Sequence, residues 1–337
     1  MKRIFVTFFN SRFLPQAIAL HASLEKNSPN FSLWALCMDT PSYLFLKNLK
    51  LSNLIPIAVS DFEDESIRNV KREPHRSYYG TIKPALIKYV VERNPDCDII
   101  TYIDTDIFFF SSPDQLFEVF DDSSVNVLIT PHRFPAGKEG LAARNGIYNA
   151  GIAMFRNNLI GRSCIENWRK KCLERCENRV GLGTYGDQGY LDAWASEFPG
   201  VHSHQAKGVN VGPWNVGQYL VRKENRFYYV DNDPLIFYHF SSLRILATNQ
   251  ILLFDYAYHK DISKNLRATV YRDYCHELLK AMGTVRTIEP NYPFGFEQGQ
   301  SHVRSLLGHM KYDLVQFHIE LKRKFSWYKK LHALLTT

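Results

Sequence analysis

This 337-residue sequence contains no apolar stretch that approaches the ~18 residues of a membrane-spanning helix, so it predicts no transmembrane segment. Its N-terminus, MKRIFVTFFN, has too short an apolar run for a secretory signal and lacks a small-residue cleavage site, which predicts a cytoplasmic protein. The six cysteines form no CxxC pair, and scattered cysteines in that compartment predict free thiols. No repeat of ~20–50 residues is present, which excludes a solenoid.

The sequence also lacks a strong charge of one sign outside its C-terminal segment. The net charge is +7, but residues 300–337 hold seven Lys/Arg and two Asp/Glu, which leaves 34 basic and 32 acidic residues in the first 299. This balance argues against a nucleic-acid partner for the main body of the protein. Hydrophobic residues make up 45% and charged residues 22%, which is ordinary globular usage and excludes general disorder.

Strand-like and helical patterns alternate along the chain with short connections, which indicates an α/β sheet built from right-handed crossovers. The predicted strands are 4–9, 31–38, 53–59, 98–110, 125–134 and 148–157, and the predicted helices are 14–27, 43–51, 81–93 and 163–176. Residues 61–76 are predicted to form a charged loop, and Pro84 is placed in the first turn of its helix. The Gly-, Ala- and Arg-rich residues 135–148 are predicted to be mobile.

The C-terminal region differs from the rest of the chain. A linker is predicted over 284–300 from the residues Pro290, Pro293, Gly295 and Gly299. The main domain is therefore expected to cover 1–283. Beyond the linker, apolar residues recur in steps of three and four and basic residues cluster, which predicts a basic amphipathic helix over 301–337. Such a helix suits the anionic inner face of a membrane, or packing against the main domain or a partner chain.

The strongest local signal is the pair Asp104 and Asp106, which follows the apolar residues 99–103 where that strand is expected to end. In open α/β sheets, ligands bind beyond the carboxyl ends of the strands, and residues two apart in an extended chain project to the same side. Two carboxylates so close repel each other unless a cation compensates, and Mn²⁺ or Mg²⁺ prefers oxygen ligands. A turn with two solvated acids is the structural alternative, and a phosphatase of the haloacid-dehalogenase type is the chemical one.

Five motifs in a fixed order resemble one family. They are IFVTFF at the start, KPALIKYVVERNPDCDIITYIDTDIFFFSSPDQLFE, NAGIAMFRN, GDQGYLD and YHFSS. Over about residues 4–245 this order is similar to the GT-A nucleotide-diphospho-sugar glycosyltransferases, with glycogenin-like and bacterial lipopolysaccharide sugar transferases as the nearest kinds. The resemblance implies a GT-A fold: a Rossmann-like, mixed and mostly parallel sheet flanked by helices, here with a C-terminal helical extension. It also makes 1–283 the catalytic domain.

The implied activity is metal-dependent transfer of a sugar from a nucleotide-diphospho-sugar, most often a UDP-sugar, to a glycan, lipid-linked or protein acceptor. The resemblance favours retention of configuration, and inversion with Asp187 as the base stays open. The resemblance implies that Asp104, Asp106 and His239 hold Mn²⁺ or Mg²⁺. Ser242 departs from the family, because glycogenin-like enzymes carry Gly there. Two other classes stay open: a phosphatase or nucleotidyltransferase that uses the same acids, and a catalytically silent nucleotide-sugar-binding protein.

The resemblance also assigns roles to residues around the expected cleft. Donor-binding residues would be Thr7, Phe8, Asn10, Arg76, Lys83, Asp104, Asn149 and Arg244. The acceptor would contact Trp214 and Asn215, and the catalytic pair would be Asp187 and Gln188. Asp187 also suits a helix N-cap, since Asp is a favoured capping residue. His132 and Arg133 in PHRF follow a predicted strand and are expected to face the cleft.

Overall fold

A computed structural model of the protein describes residues 3–28, 30–72, 75–138, 140–179, 184–247 and 250–294. The strands are β1 (Arg3–Phe9), β2 (Phe31–Cys37), β3 (Leu54–Ala58), β4 (Ile99–Ile103), β5 (Ile107–Phe109), β6 (Val127–Pro131), β7 (Tyr148–Arg156), β8 (Asn178–Arg179), β9 (Thr184–Tyr185), β10 (Val201–Ser203), β11 (Val221–Glu224), β12 (Phe227–Val230), β13 (Asp233–Pro234), β14 (Phe237–His239), β15 (Arg244–Ala247) and β16 (Gln250–Leu252).

The helices surround these strands. They are α1 (Leu14–Asn27), α2 (Thr40–Leu49), α3 (Val59–Phe62), α4 (Glu65–Arg68), α5 (His75–Arg93), α6 (Asp114–Glu118), α7 (Gly140–Asn145), α8 (Leu159–Glu174), α9 (Trp194–Glu197), α10 (Lys264–Leu266) and α11 (Arg272–Ile288). A 3-10 turn over Gln188–Ala193 leads into α9, and a π-type turn over Arg267–Tyr271 joins α10 to α11. None of the helices within the described ranges is both long enough and apolar enough to span a membrane.

Seven strands form the central sheet in the order β10-β6-β7-β4-β1-β2-β3. The pairs β1–β2, β1–β4, β2–β3 and β6–β10 are parallel, whereas β7 runs antiparallel to both of its neighbours, β4 and β6. The mixed, mostly parallel sheet expected from the motif resemblance is therefore confirmed. Because most strands end at the same edge, the residues that follow β1, β4 and β6 come together there.

Two hydrophobic clusters hold the layers together. One contains buried residues of α1, β5, β14 and α11, and the other contains buried residues of α5, α8 and the opposite face of the central strands. Alternation along β4 divides its side chains between them: Ile99 and Ile103 belong to the first cluster, and Ile100 and Tyr102 to the second. The strand therefore ends with both faces buried, and only the residues after Ile103 reach the cleft.

The region before β4 differs from the sequence prediction. Residues 61–76 do not form one loop, because they include the end of α3, all of α4 and the start of α5. The Asp64 carboxylate caps α4 by accepting a hydrogen bond from the Ile67 amide at 2.9 Å. Since α5 begins at His75, Pro84 lies inside that helix and not in its first turn. Pro84 has no amide hydrogen to donate to the Gly80 carbonyl, so one hydrogen bond of the helix is not formed there.

Residues 135–148, predicted to be mobile, include helix α7. One further prediction needs correction. The predicted linker does not begin at 284, because α11 continues to Ile288 and part of the described segment after it is buried. Tyr292 and Phe294 are buried, and the Tyr292 ring lies 5.3 Å from that of Phe45. The amphipathic helix predicted over 301–337 lies outside the described residues.

All six cysteines are free and buried, as the sequence predicted.

Candidate functional site

The pairing of two short strands brings His239 to the acidic motif. β14 runs antiparallel to β5, and His239 is the register partner of Ile107, the residue that follows Asp106. The Phe240 amide donates to the Asp106 carbonyl at 2.8 Å and completes this junction. A histidine more than a hundred residues away along the chain therefore lies beside the second aspartate because of strand pairing.

Asp104, Asp106 and His239 form a cluster that could hold a metal ion. Each offers one ligand atom, and these atoms lie within 4.8 Å of one another. His239 Nε2 lies 3.1 Å from Asp106 Oδ1 and 3.8 Å from Asp104 Oδ2, and neighbouring ligands of an octahedral ion are about 3 Å apart. The aspartate side chains are 24% and 23% exposed, so a further ligand can approach from solvent. Two carboxylates and one imidazole suit a divalent cation of the Mn²⁺ or Mg²⁺ type.

The carboxylates of Asp104 and Asp106 face Nε2 of His239 and favour a positive charge there. Burial lowers the pKa of His239, but the Asp106 and Asp104 carboxylates outweigh burial, so the net pKa is raised. The Trp214 ring meets the imidazole edge-on at 5.3 Å between centroids, and Gly151 lies against its other side. A Cβ on Gly151 would come within 2.6 Å of His239 Cε1, so only glycine leaves room for the ring.

Residues of β4 and of α5 hold the Asp104 carboxylate in place. The Tyr102 hydroxyl donates to Asp104 Oδ1 at 2.7 Å. Lys83 Nζ lies 3.1 Å from the same oxygen and 5.1 Å from the centre of the Tyr102 ring. The Asp104 amide donates to the Gly151 carbonyl at 2.8 Å, which fixes the backbone at the end of β4. The first aspartate of the motif is therefore oriented by three separate contacts.

Lys83 links the metal cluster to Asp187. Its ammonium lies 3.3 Å from Asp187 Oδ2 and also donates to the Ala150 carbonyl at 3.3 Å. Burial lowers the pKa of Lys83, but attraction to Asp104 and Asp187 prevails, and the net pKa is raised. For Asp187, burial raises the pKa by more than the Lys83 ammonium lowers it, so the net pKa is raised. Lys83 is thus a fixed positive charge between two carboxylates.

Asp187 does not cap the following helical turn, since its side chain makes no capping hydrogen bond and its backbone is already helical. That alternative from the sequence is wrong. Its carbonyl instead accepts a hydrogen bond from Trp168 Nε1 at 2.9 Å, and Trp168 packs edge-on against Trp194. Gly80 borders the carboxylate, where a Cβ would lie 3.0 Å from Oδ1. The loop that carries Asp187 is therefore positioned by the buried aromatic core.

Gln188 ties the 3-10 turn to the start of β7. Its Oε1 accepts hydrogen bonds from Asn149 Nδ2 at 3.2 Å and the Ala150 amide at 3.0 Å, while its Nε2 donates to the Asn145 carbonyl at 2.6 Å. Asn149 Nδ2 also faces His132 Nε2 at 3.3 Å. The sequence-predicted residues Asn149, Gln188 and His132 therefore lie in one buried polar chain that runs beside the metal cluster.

The residues predicted to contact an acceptor have different environments. Trp214 and Asn215 both donate to the His132 carbonyl, at 3.0 and 2.8 Å. Asn215 is 1% exposed, and its Oδ1 accepts from the Gly212 amide, so both ends of its amide are engaged with backbone. The structure thus opposes a direct acceptor contact from Asn215. Trp214 is also buried, with its ring directed at His239.

The predicted donor residues at the end of β1 divide in the same way. Thr7 is fully buried, and its hydroxyl lies 2.9 Å from that of Thr105, so it braces the acidic motif and does not face the cleft. Thr105 in turn donates to the Phe8 carbonyl at 2.8 Å. Phe8 is half-buried beside Tyr79, with 5.6 Å between ring centroids, and Asn10 Nδ2 donates to the Tyr79 hydroxyl at 3.4 Å. Phe8 and Asn10 therefore remain at the edge of the cleft.

The basic residues predicted from the sequence have different environments. Arg244 is exposed at the start of β15, and the side chain of Arg76 lies outside the described part of the chain. Arg133 does not present its guanidinium to a ligand as expected, because it binds the Tyr219 hydroxyl at 3.2 Å and the Val209 carbonyl. Ser242 adopts a φ of +74°, a backbone conformation that favours glycine.

Sequence reasoning missed three residues that shape the site. Tyr102 could have been found from strand alternation, because it lies two residues before Asp104 and shares its side of the strand. Gly151 carried a signal as well, since glycine inside a strand often marks a close approach of another group. Trp168 had no local signal, because its contact with the Asp187 carbonyl depends on how α8 packs.

Relatives of this chain occur in Bacillus subtilis (strain 168). The uncharacterized protein YfnF is 37% identical over 257 residues, which cover 74% of this chain and 85% of YfnF. The chain belongs to the YfnF family. The uncharacterized protein YfnD is 28% identical over 277 residues, which cover 81% of this chain and 88% of YfnD. No family model matches the sequence.

Among solved structures, the chain is similar to the galactosyltransferase LgtC in complex with donor and acceptor sugar analogs, with 15% identity and a TM-score of 0.47 over 90% of this chain and 99% of that chain. It is also similar to the glycosyltransferase GlyE of Streptococcus pneumoniae TIGR4, with 19% identity and a TM-score of 0.41 over 61% of this chain and 45% of GlyE. The chain thus matches less than half the length of GlyE. Both are glycosyltransferases, but at these scores the similarity carries no argument about the activity of this chain.

Proposed function

We propose that this protein is a metal-dependent glycosyltransferase that moves a sugar from a nucleotide-diphospho-sugar to an acceptor. The observation that carries the proposal is the cluster of Asp104, Asp106 and His239 at the carboxyl edge of a mixed sheet, with Lys83 and Asp187 beside it. Such a cluster combines a cation site with a fixed positive charge. Both would bind a diphosphate leaving group and stabilise its negative charge.

When bound, a divalent cation neutralises charge on the diphosphate as the bond to the sugar breaks. We propose Mn²⁺, with Mg²⁺ as the alternative, held by Asp104, Asp106 and His239 Nε2. Lys83 stands on the Asp187 side of the cluster and supplies a second positive charge. Because Lys83 is only 13% exposed, its field acts in a medium where water screens it weakly.

For the sugar itself, we propose that Asp187 and Gln188 form the catalytic pair, with retention of configuration. The Asp187 carboxylate is buried beside Lys83 and provides negative charge near the centre that becomes positive in the transition state. Gln188 positions the Asn149 side-chain amide and the Ala150 backbone amide, both of which donate to its Oε1. Asn149 and Trp214 would line the sugar side of the site.

The rim of the cleft suits the nucleoside of the donor. Phe8 and Tyr79 offer ring faces beside Asn10, a combination that favours a planar base, and we propose a UDP-sugar as the donor. Arg244 and Arg76 are proposed to meet the phosphates, since a guanidinium binds phosphate oxygens in a bidentate manner. The acceptor is proposed to be a glycan or a lipid-linked sugar, which the basic segment 301–337 would meet at an anionic membrane surface.

A donor panel tests the function directly. UDP-, GDP- and dTDP-sugars are added with and without Mn²⁺, and the melting temperature and the release of nucleoside diphosphate are measured. The correct donor should raise the melting temperature only with the metal, because a ligand that binds the folded state stabilises it by mass action. Binding without release of nucleoside diphosphate would indicate a silent binding protein. Release of inorganic phosphate from a monoester would indicate a phosphatase instead.

A further inference from the structure

The two oxygens of Asp104 have different surroundings. Oδ1 accepts the Tyr102 hydroxyl at 2.7 Å and lies 3.1 Å from Lys83 Nζ. Oδ2 lies 3.8 Å from His239 Nε2, on the side of the metal cluster. Rotation of the Asp104 carboxylate would exchange the positions of Oδ1 and Oδ2, or place both oxygens between Lys83 and His239. The hydrogen bond from Tyr102 therefore selects one orientation.

We propose that Tyr102 is a positioning residue for the metal centre: its hydroxyl holds Asp104 Oδ1 and thereby directs Oδ2 toward His239 and the bound cation. The inference rests on the proposed function, in which this cluster binds Mn²⁺. Groups that orient a metal ligand from behind typically change metal affinity 10–100-fold when they are removed.

Strand geometry explains why Tyr102 can act in this way. Tyr102 and Asp104 are two residues apart at the end of β4, so both project to the same side and the hydroxyl reaches the carboxylate. The Tyr102 side chain is 1% exposed and belongs to the core cluster with Ile100, so its ring cannot move away. The backbone at Asp104 is equally constrained by its hydrogen bond to Gly151. Rotation of the carboxylate is therefore the freedom that remains.

Lys83 is the competitor in this arrangement. Its ammonium lies 3.1 Å from Oδ1 and 3.5 Å from Oδ2, so it can draw either oxygen of Asp104 toward α5. With the Tyr102 hydroxyl in place, Oδ1 satisfies both donors and Oδ2 remains for the cation. Without that hydroxyl, we expect the carboxylate to turn further toward Lys83, which weakens its contribution to the metal site.

The test compares Tyr102→Phe with Tyr228→Phe by titration with Mn²⁺, using electron paramagnetic resonance to measure free ion. Tyr228 is the matched control, because its hydroxyl also donates to a carboxylate, that of Asp273, which is not one of the three ligands. We expect the dissociation constant for Mn²⁺ to rise 10–100-fold in Tyr102→Phe and to stay within twofold in Tyr228→Phe. Melting curves recorded without metal show that both variants are folded.

A double-mutant cycle separates positioning from a general effect on the core. In an Asp104→Asn background, the change from Tyr102 to Phe should no longer alter Mn²⁺ affinity, because it acts through the Asp104 carboxylate. If Tyr102→Phe bound Mn²⁺ with the same affinity as the wild-type protein, the inference would be overturned and the proposed function would stay intact. Absence of Mn²⁺ binding by the wild-type protein would overturn both. An equal loss in the two backgrounds would show that Tyr102 acts only through packing.

Discussion

His239 lies directly against Gly151, so closely that a Cβ at residue 151 would be 2.6 Å from Cε1 and 2.7 Å from Nδ1 of the imidazole. Strand pairing with Ile107 fixes the backbone of His239. Because Gly151 has no side chain, the His239 imidazole has room to lie with Nε2 facing Asp106. The position of the proposed third metal ligand therefore depends on a glycine that contributes no side chain.

Gly151→Ala should consequently damage the metal centre. The added methyl group must displace the imidazole or the Asn149 amide, and we expect the affinity for Mn²⁺ to fall at least tenfold and overpacking to cost about 1–3 kcal/mol of stability. Isothermal titration with Mn²⁺ and denaturant unfolding measure the two effects. Gly283→Ala is the matched control, because no atom lies within 4 Å of the Cβ position and the change in α11 should stabilise the protein slightly. Unchanged Mn²⁺ affinity in Gly151→Ala would contradict the geometry.

Asp104→Asn and Asp106→Asn should each abolish donor turnover while the fold remains intact. Either change removes a negative charge that the cation requires but keeps the size of the side chain. The measurement is the rate of nucleoside diphosphate release at saturating Mn²⁺, with circular dichroism as the check on folding. Asp231→Asn, which only breaks the peripheral pair with Lys207, serves as the control. Near-normal turnover in either variant would show that the pair does not hold the catalytic metal.

Lys83→Met should lower turnover strongly, because the two carboxylates on either side of the ammonium lose their shared positive charge. We expect a loss of about 10²–10³ in kcat, the size typical of a preorganised charge at a leaving group. Lys83→Arg should recover part of the activity, since it restores the charge with a different shape. Lys207→Met controls for the loss of a lysine at the surface. If Lys83→Met changed only stability and left kcat intact, Lys83 would be a structural residue.

Acid should destabilise the protein between about pH 6.5 and pH 4, because two buried histidines are held neutral. Burial, with a smaller contribution from nearby positive charge, lowers the pKa of His132 and of His204 to about 4 in each case. The unfolded chain binds protons at these sites below its pKa of ~6.5 while the folded chain does not, so stability is present above that pH and is lost as pH falls. The pKa of His239 is raised, so its contribution to stability builds up as the pH falls toward ~6.5 and changes little below that pH.

His204→Leu isolates one of these contributions. Neither ring nitrogen of His204 has a protein partner within the part of the chain that the structure describes, so leucine can replace it without breaking a hydrogen bond. The unfolding free energy of the wild type should fall relative to that of the variant as the pH is lowered. We expect this relative change to be on the order of 3 kcal/mol between pH 7 and pH 4. Urea unfolding at several pH values measures it. Parallel pH profiles for the two proteins would contradict the assignment.

The basic C-terminal segment yields a prediction from sequence alone. Residues 300–337 carry a net charge of +5, and each basic group near an anionic surface contributes about 1 kcal/mol at low salt. Deletion of 301–337 should therefore reduce co-sedimentation with anionic vesicles and leave donor hydrolysis in place. High salt should remove the difference, since it screens the charges. Equal vesicle binding by the full-length and truncated proteins would exclude a role at membranes, and loss of solubility would indicate a packed helix.

The sequence by itself determined the order of strands and helices and the acidic pair. Hydrophobic runs such as 4–9 and 99–103 are local patterns, and a buried strand that ends in two aspartates identifies a ligand edge before any contact is known. Errors arose where local patterns are weak, as in the charged residues 61–76, or where packing overrides a local rule, as for Pro84 inside α5.

Only the tertiary structure decided which predicted residues face the cleft. Thr7 and Asn215 have the polar groups of binding residues, but the register of β1 and the bend after Gly212 turn them inward to satisfy buried partners. Tyr102 looks like a core residue in the sequence, yet its hydroxyl reaches Asp104. The physical reason is that residue type and spacing specify what a side chain can do, whereas the partner that it meets depends on elements far away in the chain.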